Sequence, residues 1–362
     1  MSPWRRAVVL GGTGPIGRAT ALRLLDAGWQ VDVTGRDPTR MPDDLARAGG
    51  RFVASDRADA RQLEAVLGDG ADLMVDCICF TAADAHLLLP LARNATSTVM
   101  ISSKAVYVDA GGRHSNSDEP PRFDGPIPET VATLPPGAGD HTTREGYGSN
   151  KVAAEQVLLE SGAPVTVLRP SKVHGVGGMR PREWVFVKRV LDRRPAVVLA
   201  GRGAGVDHTT AAANIAALVE IAAALSGRRV LNSADPDAPS GVEIARTVAR
   251  QLGYAWEEVL LDDGVDATLG RHPWDGRPPI VLDTSAAVEL GYVPVGDYAA
   301  TVTAELDWLV AAVRGGLALE LDDAFFRPFL DYAAEDRYLA ARAEPRYTAF
   351  QNTVVSHDRP SG

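Results

Sequence analysis

Residues 5–28, RRAVVLGGTGPIGRATALRLLDAG, place a short apolar run, a glycine-rich turn and an apolar-periodic stretch in immediate succession. The run reads as a buried strand. The stretch from Pro15 reads as a helix, with proline in its first turn and Gly28 beyond its end. Between them stand Gly11, Gly14 and Gly17, interleaved with Thr13, Pro15 and Ile16. Glycines here permit a tight turn, let the backbone approach a pyrophosphate and let the helix pack close to the sheet. The unpaired N–H groups of the helix N-terminus then face the phosphates. Dinucleotide binding is the expectation, and a purely structural turn is the alternative.

The pattern repeats outward from this unit. QVDVTG (30–35), ADLMVDCICF (71–80), STVMISS (97–103) and PVTVLRP (164–170) read as further strands, with RQLEAVLG (61–68) among the helical segments between them. Repeated βα units of this length predict an α/β fold with a doubly wound parallel sheet. Ligands of such sheets bind beyond the carboxyl ends of the strands. That rule selects Gly11 to Gly17, Gly35 and Arg36, Cys79 and Phe80, Ser102 and Ser103, and Ser171 and Lys172. Residues 108–146 interrupt the pattern with a polar, Pro/Gly-rich loop, expected to be a lid or substrate wall.

A chain of 362 residues with 45% hydrophobic and 23% charged residues fits a soluble globular enzyme of about two domains. Its net charge of −10 argues against a nucleic-acid or anionic-membrane partner. No signal peptide or membrane-spanning run is read, so a cytoplasmic location is expected. Cys77 and Cys79, placed on one face of a strand, read as small buried hydrophobes. The seven histidines are scattered without HxxxH or Cys–His pairing, so no metal site is expected.

Two features point to chemistry. Gly35 stands where an acidic residue would meet the ribose hydroxyls of NAD, and Arg36 follows it. A guanidinium in place of a carboxylate suits a 2′-phosphate, so NADP(H) is expected to be preferred, with NAD(H) possible and Asp37 able to bond a ribose. Only four lysines occur, at 104, 151, 172 and 188. In YGSNK, Tyr147 and Lys151 share one face of a helix. A cation one turn away favours the phenolate, and a compact ammonium can also reach ribose hydroxyls.

Together GGTGPIG, ISSKAVY (101–107), YGSNK (147–151) and LRPSKVHG (168–175) resemble the extended or atypical short-chain dehydrogenase/reductases, the NAD(P)-dependent epimerase/dehydratase group. The resemblance covers about residues 7–310 and includes HTTAAANIAAL (208–218) and VLDTSAAVELGYVP (281–294). It implies a Rossmann domain over 1–175, part of 205–235 returning to it, with Ser103, Tyr147 and Lys151 as catalytic triad. It also implies Asp56 near the adenine, Cys77 and Ile78 beside the cofactor, and a smaller C-terminal substrate domain over 176–316.

Three departures from the family pattern stand out. Lys104 and Ala105 replace the Asp–Glu pair of dehydratases, Lys172 replaces an asparagine, and the VDCICF strand lacks a small-residue ending.

The reading is an NADP(H)-dependent oxidoreductase acting on a small polar carbonyl or alcohol. The first alternative is a nucleotide-sugar epimerase, and a further one is a non-catalytic dinucleotide-sensing or RNA-associated protein. A small-molecule substrate such as a nucleotide sugar or keto-sugar, and a homodimer, are expected. Lys172 is expected at the mouth of the site, near nicotinamide or substrate, or else exposed and paired with a carboxylate. Arg180, Arg182, Lys188 and Arg189 could meet a phosphate but read individually as solvated surface charge. The extension 317–362 holds Phe325, Phe326, Phe329 and Phe350. It is expected either to help wall the substrate cleft or to add core to the smaller domain.

Overall fold

The computed structural model describes residues 5–265, 268–317, 319, 321 and 324–343. The first half runs β1 (Arg6–Leu10), α1 (Pro15–Asp26), β2 (Gln30–Gly35), α2 (Asp43–Arg47), β3 (Arg51–Ala54), α3 (Ala60–Leu67), β4 (Ala71–Asp76), α4 (Ala82–Arg93), β5 (Ala95–Ile101), α5 (Arg144–Glu160) and β6 (Val165–Pro170). The second half adds β7 (Lys172–His174), α6 (Trp184–Leu191), β8 (Ala196–Leu199), β9 (Thr209–Ala211), α7 (Ala212–Ala223), β10 (Arg229–Ser233), α8 (Gly241–Gln251), β11 (Glu257–Leu260), α9 (Ser285–Glu289), α10 (Tyr298–Arg314) and α11 (Tyr332–Ala343).

Among the described residues one seven-stranded sheet has the order β10-β6-β5-β4-β1-β2-β3, with every neighbouring pair parallel. Successive side chains of a strand point to opposite faces. Ala7, Val9 and Val75 thus join the core beneath α1 and α7, while Val8, Leu10 and Met74 join the core beneath α3, α4 and α5. The sheet is covered on both faces, as the doubly wound reading requires. The order reverses beside β1, which leaves a crevice at the carboxyl ends of β1 and β4.

α1 can lie tight on the glycine turn because position 17 has no side chain. A Cβ at Gly17 would fall 2.5 Å from the Gly11 carbonyl oxygen and 2.6 Å from Gly12 Cα. The turn and the helix N-terminus are therefore fixed as one unit.

Two expectations about β4 and the 108–146 loop change in detail. β4 ends at Asp76, so the cysteines lie past the strand rather than along one of its faces. The Asp76 carboxylate accepts the Ile78 N–H at 2.9 Å and turns the chain out of the sheet. Cys79 is buried, Cys77 is half-buried, and burial pushes both thiols up, as small inert hydrophobes. The loop is an ordered wall: Tyr107 bridges Thr133, Ile127 bridges Leu282, and Ile127, Phe123 and Leu134 pack in a core with Val106 and Ile280. No helix among the described residues is long and apolar enough to cross a membrane.

The second half has its own core, in which Phe186 stacks on Trp274 at 5.9 Å between centroids, with Val248, Tyr298 and Leu306 around them. Phe326 is wholly buried in this core and Phe329 packs against it. Phe350 lies outside the described residues. Arg189, expected as surface charge, is instead buried and bonds Glu335 and the Phe329 carbonyl, which anchors α11. Lys188 pairs with Asp192 across one helical turn at 2.7 Å. The extension therefore supplies core, and Leu317 and Leu319 also border a cavity beside Thr13 and Arg40.

Replacing Phe326 by alanine should cost about 3–5 kcal/mol, the usual range for a buried aromatic. Urea denaturation of the full chain measures it. A midpoint equal to wild type would show that the extension is not core.

Candidate functional site

The glycine turn faces a cavity of about 430 Å³ bordered by Thr13, Gly14, Pro15, Ile16, Arg40, His174, Arg182 and Glu305. Gly11 adopts φ +75°, and a Cβ there would lie 2.8 Å from Ile78 Cγ2, so the turn rests against the chain just beyond β4. Gly14 caps α1 with no side-chain bond, and no acidic residue lies in the first turn. Uncapped N–H groups and the helix dipole make this a favourable seat for an anion, and the space left by absent side chains fits a diphosphate.

Around this seat the predicted residues fall unevenly. Arg36 is exposed just past β2. Asp37 is exposed, and its Oδ1 caps the next turn, accepting the Thr39 N–H at 2.9 Å and its hydroxyl at 2.6 Å. That turn carries Arg40 back to the cavity, a placement the sequence reading missed. The Asp-Pro pair in GRDPTR was the available signal, since it marks a capped turn. Asp56 is exposed, and its carboxylate accepts the Ala58 N–H at 3.0 Å.

The approach of α5 to the end of β5 carries Tyr147 and Lys151 alongside the turn that Ser103 opens. Position 148 must be glycine: a Cβ there would fall 2.5 Å from the Ala105 carbonyl oxygen. Ser103 heads the short turn holding Ala105, and its Oγ accepts the Ala105 N–H at 3.2 Å. Tyr147 is half-buried, while Lys151 is only 2% exposed. The Lys151 ammonium donates to the Cys79 carbonyl at 2.7 Å and the Ile101 carbonyl at 2.9 Å. It lies 4.3 Å from the Phe80 ring centroid and 6.0 Å from that of Tyr147. Phe80 in turn stacks on His141. An ammonium has three donors, so one N–H remains for a ribose hydroxyl or the phenol oxygen.

A second cationic group lies beyond β5 and β6. Lys104 and Lys172 both pair with Asp207, the latter at 3.0 Å. Lys104 is buried and Lys172 is 22% exposed in its side chain, so the pairing expected of an exposed lysine occurs here in a largely enclosed place. Burial, then the charges of Lys172 and Arg182, push Lys104 well below the ordinary lysine value. Burial and Arg182 bring Lys172 down to about 7. Two lysines share one carboxylate, with the Arg182 guanidinium close by, and the group can meet an anion.

The family model described as NAD dependent epimerase/dehydratase family matches residues 7–209. No curated protein matches the sequence. Among solved structures, a putative epimerase from Burkholderia cenocepacia J2315 is similar at TM-score 0.66 and 23% identity, covering 86% of this chain and 100% of that one. A UDP-glucose-4-epimerase from Stenotrophomonas maltophila, with bound NAD and formylated UDP-arabinopyranose, gives 0.67 and 18%, covering 86% and 99%. A dTDP-glucose 4,6-dehydratase from Bacillus anthracis, in complex with NAD, gives 0.64 and 15%, covering 86% and 98%. At these identities the likeness establishes the fold.

Lys172 provides a pH test. Its ammonium titrates near 7 when folded against the ordinary 10.5, so between those values the unfolded chain holds more protons and stability rises with pH. One group contributes a slope of at most about 1.4 kcal/mol per pH unit. Lys172→Met should flatten the rise of the urea midpoint across that window. An unchanged slope would show that Lys172 keeps an ordinary affinity for its proton.

Proposed function

The chain belongs to the NAD dependent epimerase/dehydratase family, and from that premise we propose that it exchanges a hydride with a hydroxyl-bearing carbon of a nucleotide-sugar-type substrate. Tyr147 beside Lys151, held against the Ser103 turn by the contact at Gly148, is the observation that carries this reading. The Ser103 hydroxyl would hydrogen-bond the substrate oxygen. Tyr147 takes the hydroxyl proton during oxidation and returns it during reduction. Lys151, its ammonium 6.0 Å from the Tyr147 ring centroid, holds a ribose hydroxyl with its remaining N–H. The bound nicotinamide supplies and accepts the hydride.

The uncapped start of α1 and the turn from Gly11 to Gly17 would hold the cofactor diphosphate. Cys77 and Ile78 would border it where the chain leaves β4. Release of the hydride to the opposite face of the same carbon gives epimerisation. The printed names of several similar structures, UDP-glucose 4-epimerases among them, support that outcome. Elimination of water has less support, since Lys104 and Ala105 follow Ser103 and the nearby Asp207 is paired with Lys104 and Lys172.

A second reading, a reductase with exchangeable NADP(H), is favoured by Gly35, Arg36 and Arg40. Two guanidiniums on one turn, with no acidic residue at the end of β2, suit a 2′-phosphate. Comparing kcat/KM for NADPH and NADH in wild type, Arg36→Ala and Arg40→Ala tests it. The expected result is a preference for NADPH that either substitution reduces. Wild-type preference for NADH would leave the NAD-dependent epimerase.

Tyr147→Phe removes one hydroxyl and no phosphate contact. It should lower kcat by about 10² to 10⁴ with cofactor affinity retained. Retention of more than about a tenth of wild-type kcat, well outside the range for a general acid or base, would remove Tyr147 from that role.

A further inference from the structure

Behind the glycine turn, three side chains from separate elements meet in the interior. His174 ends β7, Glu183 immediately precedes α6, and Glu305 lies in α10. One ligand atom from each lies within 4.8 Å of the others. Relative exposures are 4%, 1% and 1%. His174 Nδ1 and Glu183 Oε2 have no hydrogen-bond partner, and Nδ1 stands 3.7 Å from Glu305 Oε2. Buried polar atoms are rarely left unpaired, so two such atoms in one cluster need a reason.

We propose that His174, Glu183 and Glu305 bind a first-row divalent cation such as Mn²⁺ or Zn²⁺.

The surroundings are built as a metal site requires. The other ring nitrogen, His174 Nε2, is 3.0 Å from Asp235 Oδ2. With its proton on that side, Nδ1 presents a lone pair to the cluster, the carboxylate–imidazole arrangement that orients metal-bound histidines. Asp235 is itself fixed by the Thr209 hydroxyl at 2.7 Å and the Ala211 N–H at 2.6 Å. Glu183 Oε1 accepts the Tyr298 hydroxyl at 3.3 Å, and Glu305 Oε2 accepts the Gly175 N–H at 2.5 Å. Each carboxylate is thus held while keeping oxygen lone pairs for an ion.

Charge argues the same way. Two adjacent buried carboxylates repel unless a proton or a cation joins them. Arg182 lies nearby and its charge offsets part of that repulsion, while it donates to the Val173 carbonyl at 3.3 Å. One imidazole and two carboxylates suit Mn²⁺, Fe²⁺ or Zn²⁺ better than Mg²⁺ or Ca²⁺, which favour all-oxygen shells. Three protein ligands leave a position open. His174 and Glu305 also border the 430 Å³ cavity of the glycine turn, so an ion has a path to them.

The test uses the full chain, stripped with chelator and titrated with Mn²⁺ alone, reading free Mn²⁺ by electron paramagnetic resonance. One Mn²⁺ per chain, displaced by Zn²⁺, is expected. Glu305→Gln and Glu183→Gln should each weaken binding at least tenfold. Asp235→Asn should weaken it by about 10- to 100-fold, the cost usual for a partner behind a ligand. Circular dichroism confirms that each variant is folded; if one is not, the other two decide. Absence of saturable binding to wild type by either ion, or unchanged binding in the folded variants, overturns the proposal. A more stable Glu305→Gln protein whose parent binds no metal would assign a shared proton instead. No cofactor or substrate enters the experiment, so its outcome is separate from that of the hydride reading.

Discussion

The buried ammonium of Lys151 is the constraint on which the arrangement depends. Taking an ammonium out of water costs several kcal/mol unless its donors are met. Here the carbonyls of Cys79 and Ile101, beyond β4 and at the end of β5, meet two of the three, with the ammonium 4.3 Å from the Phe80 ring centroid. One side chain thereby ties α5 to two neighbouring central strands. One turn further on, Glu155 pairs with Arg169 of β6 at 2.5 Å and accepts the Ser102 hydroxyl. α5 is thus fixed to three consecutive strands, and the position of Tyr147 follows from those ties rather than from contacts of its own. A forked guanidinium could not enter the same space with the same two acceptors, which gives a structural reason for lysine in an arginine-rich chain.

The second half of the chain completes the crevice. β7 leaves the sheet after β6 and carries Lys172 and His174 past the glycine turn, where Asp207, Arg182 and Glu305 meet them. Charged groups are enclosed here because the core of Trp274, Phe186 and Phe326 backs α6 and α10. The ion pair of Arg189 with Glu335 secures α11 to α6. Changes in the described part of the extension therefore reach the crevice through α6.

What the sequence revealed depended on range. The strand–turn–helix of residues 5–28 and the Tyr–Lys spacing are local patterns, and both were legible. β3 was missed because RFVA is four residues long, begins with an exposed arginine and lies at the edge of the sheet. The end of β4 was misplaced because a buried aspartate, not a glycine or proline, turns the chain. Arg189 read as surface charge because its partner Glu335 lies far along the chain. The meeting of His174, Glu183 and Glu305 was illegible for the same reason: spacing rules for metal ligands look within one element, and these come from three. Arg40 needed the capped turn at Asp37 to bring it back to the cavity.

The central claim is that Lys151 of this α5 holds a nicotinamide dinucleotide against the glycine turn. Fluorescence titration of the full chain with NADH and with NADPH tests it most directly, in wild type, Lys151→Met and Lys172→Met. The account predicts one equivalent of at least one dinucleotide per chain, binding at least tenfold weaker in Lys151→Met and nearly unchanged in Lys172→Met. No saturable binding of either dinucleotide to wild type, or equal affinity in a folded Lys151→Met protein, would contradict it.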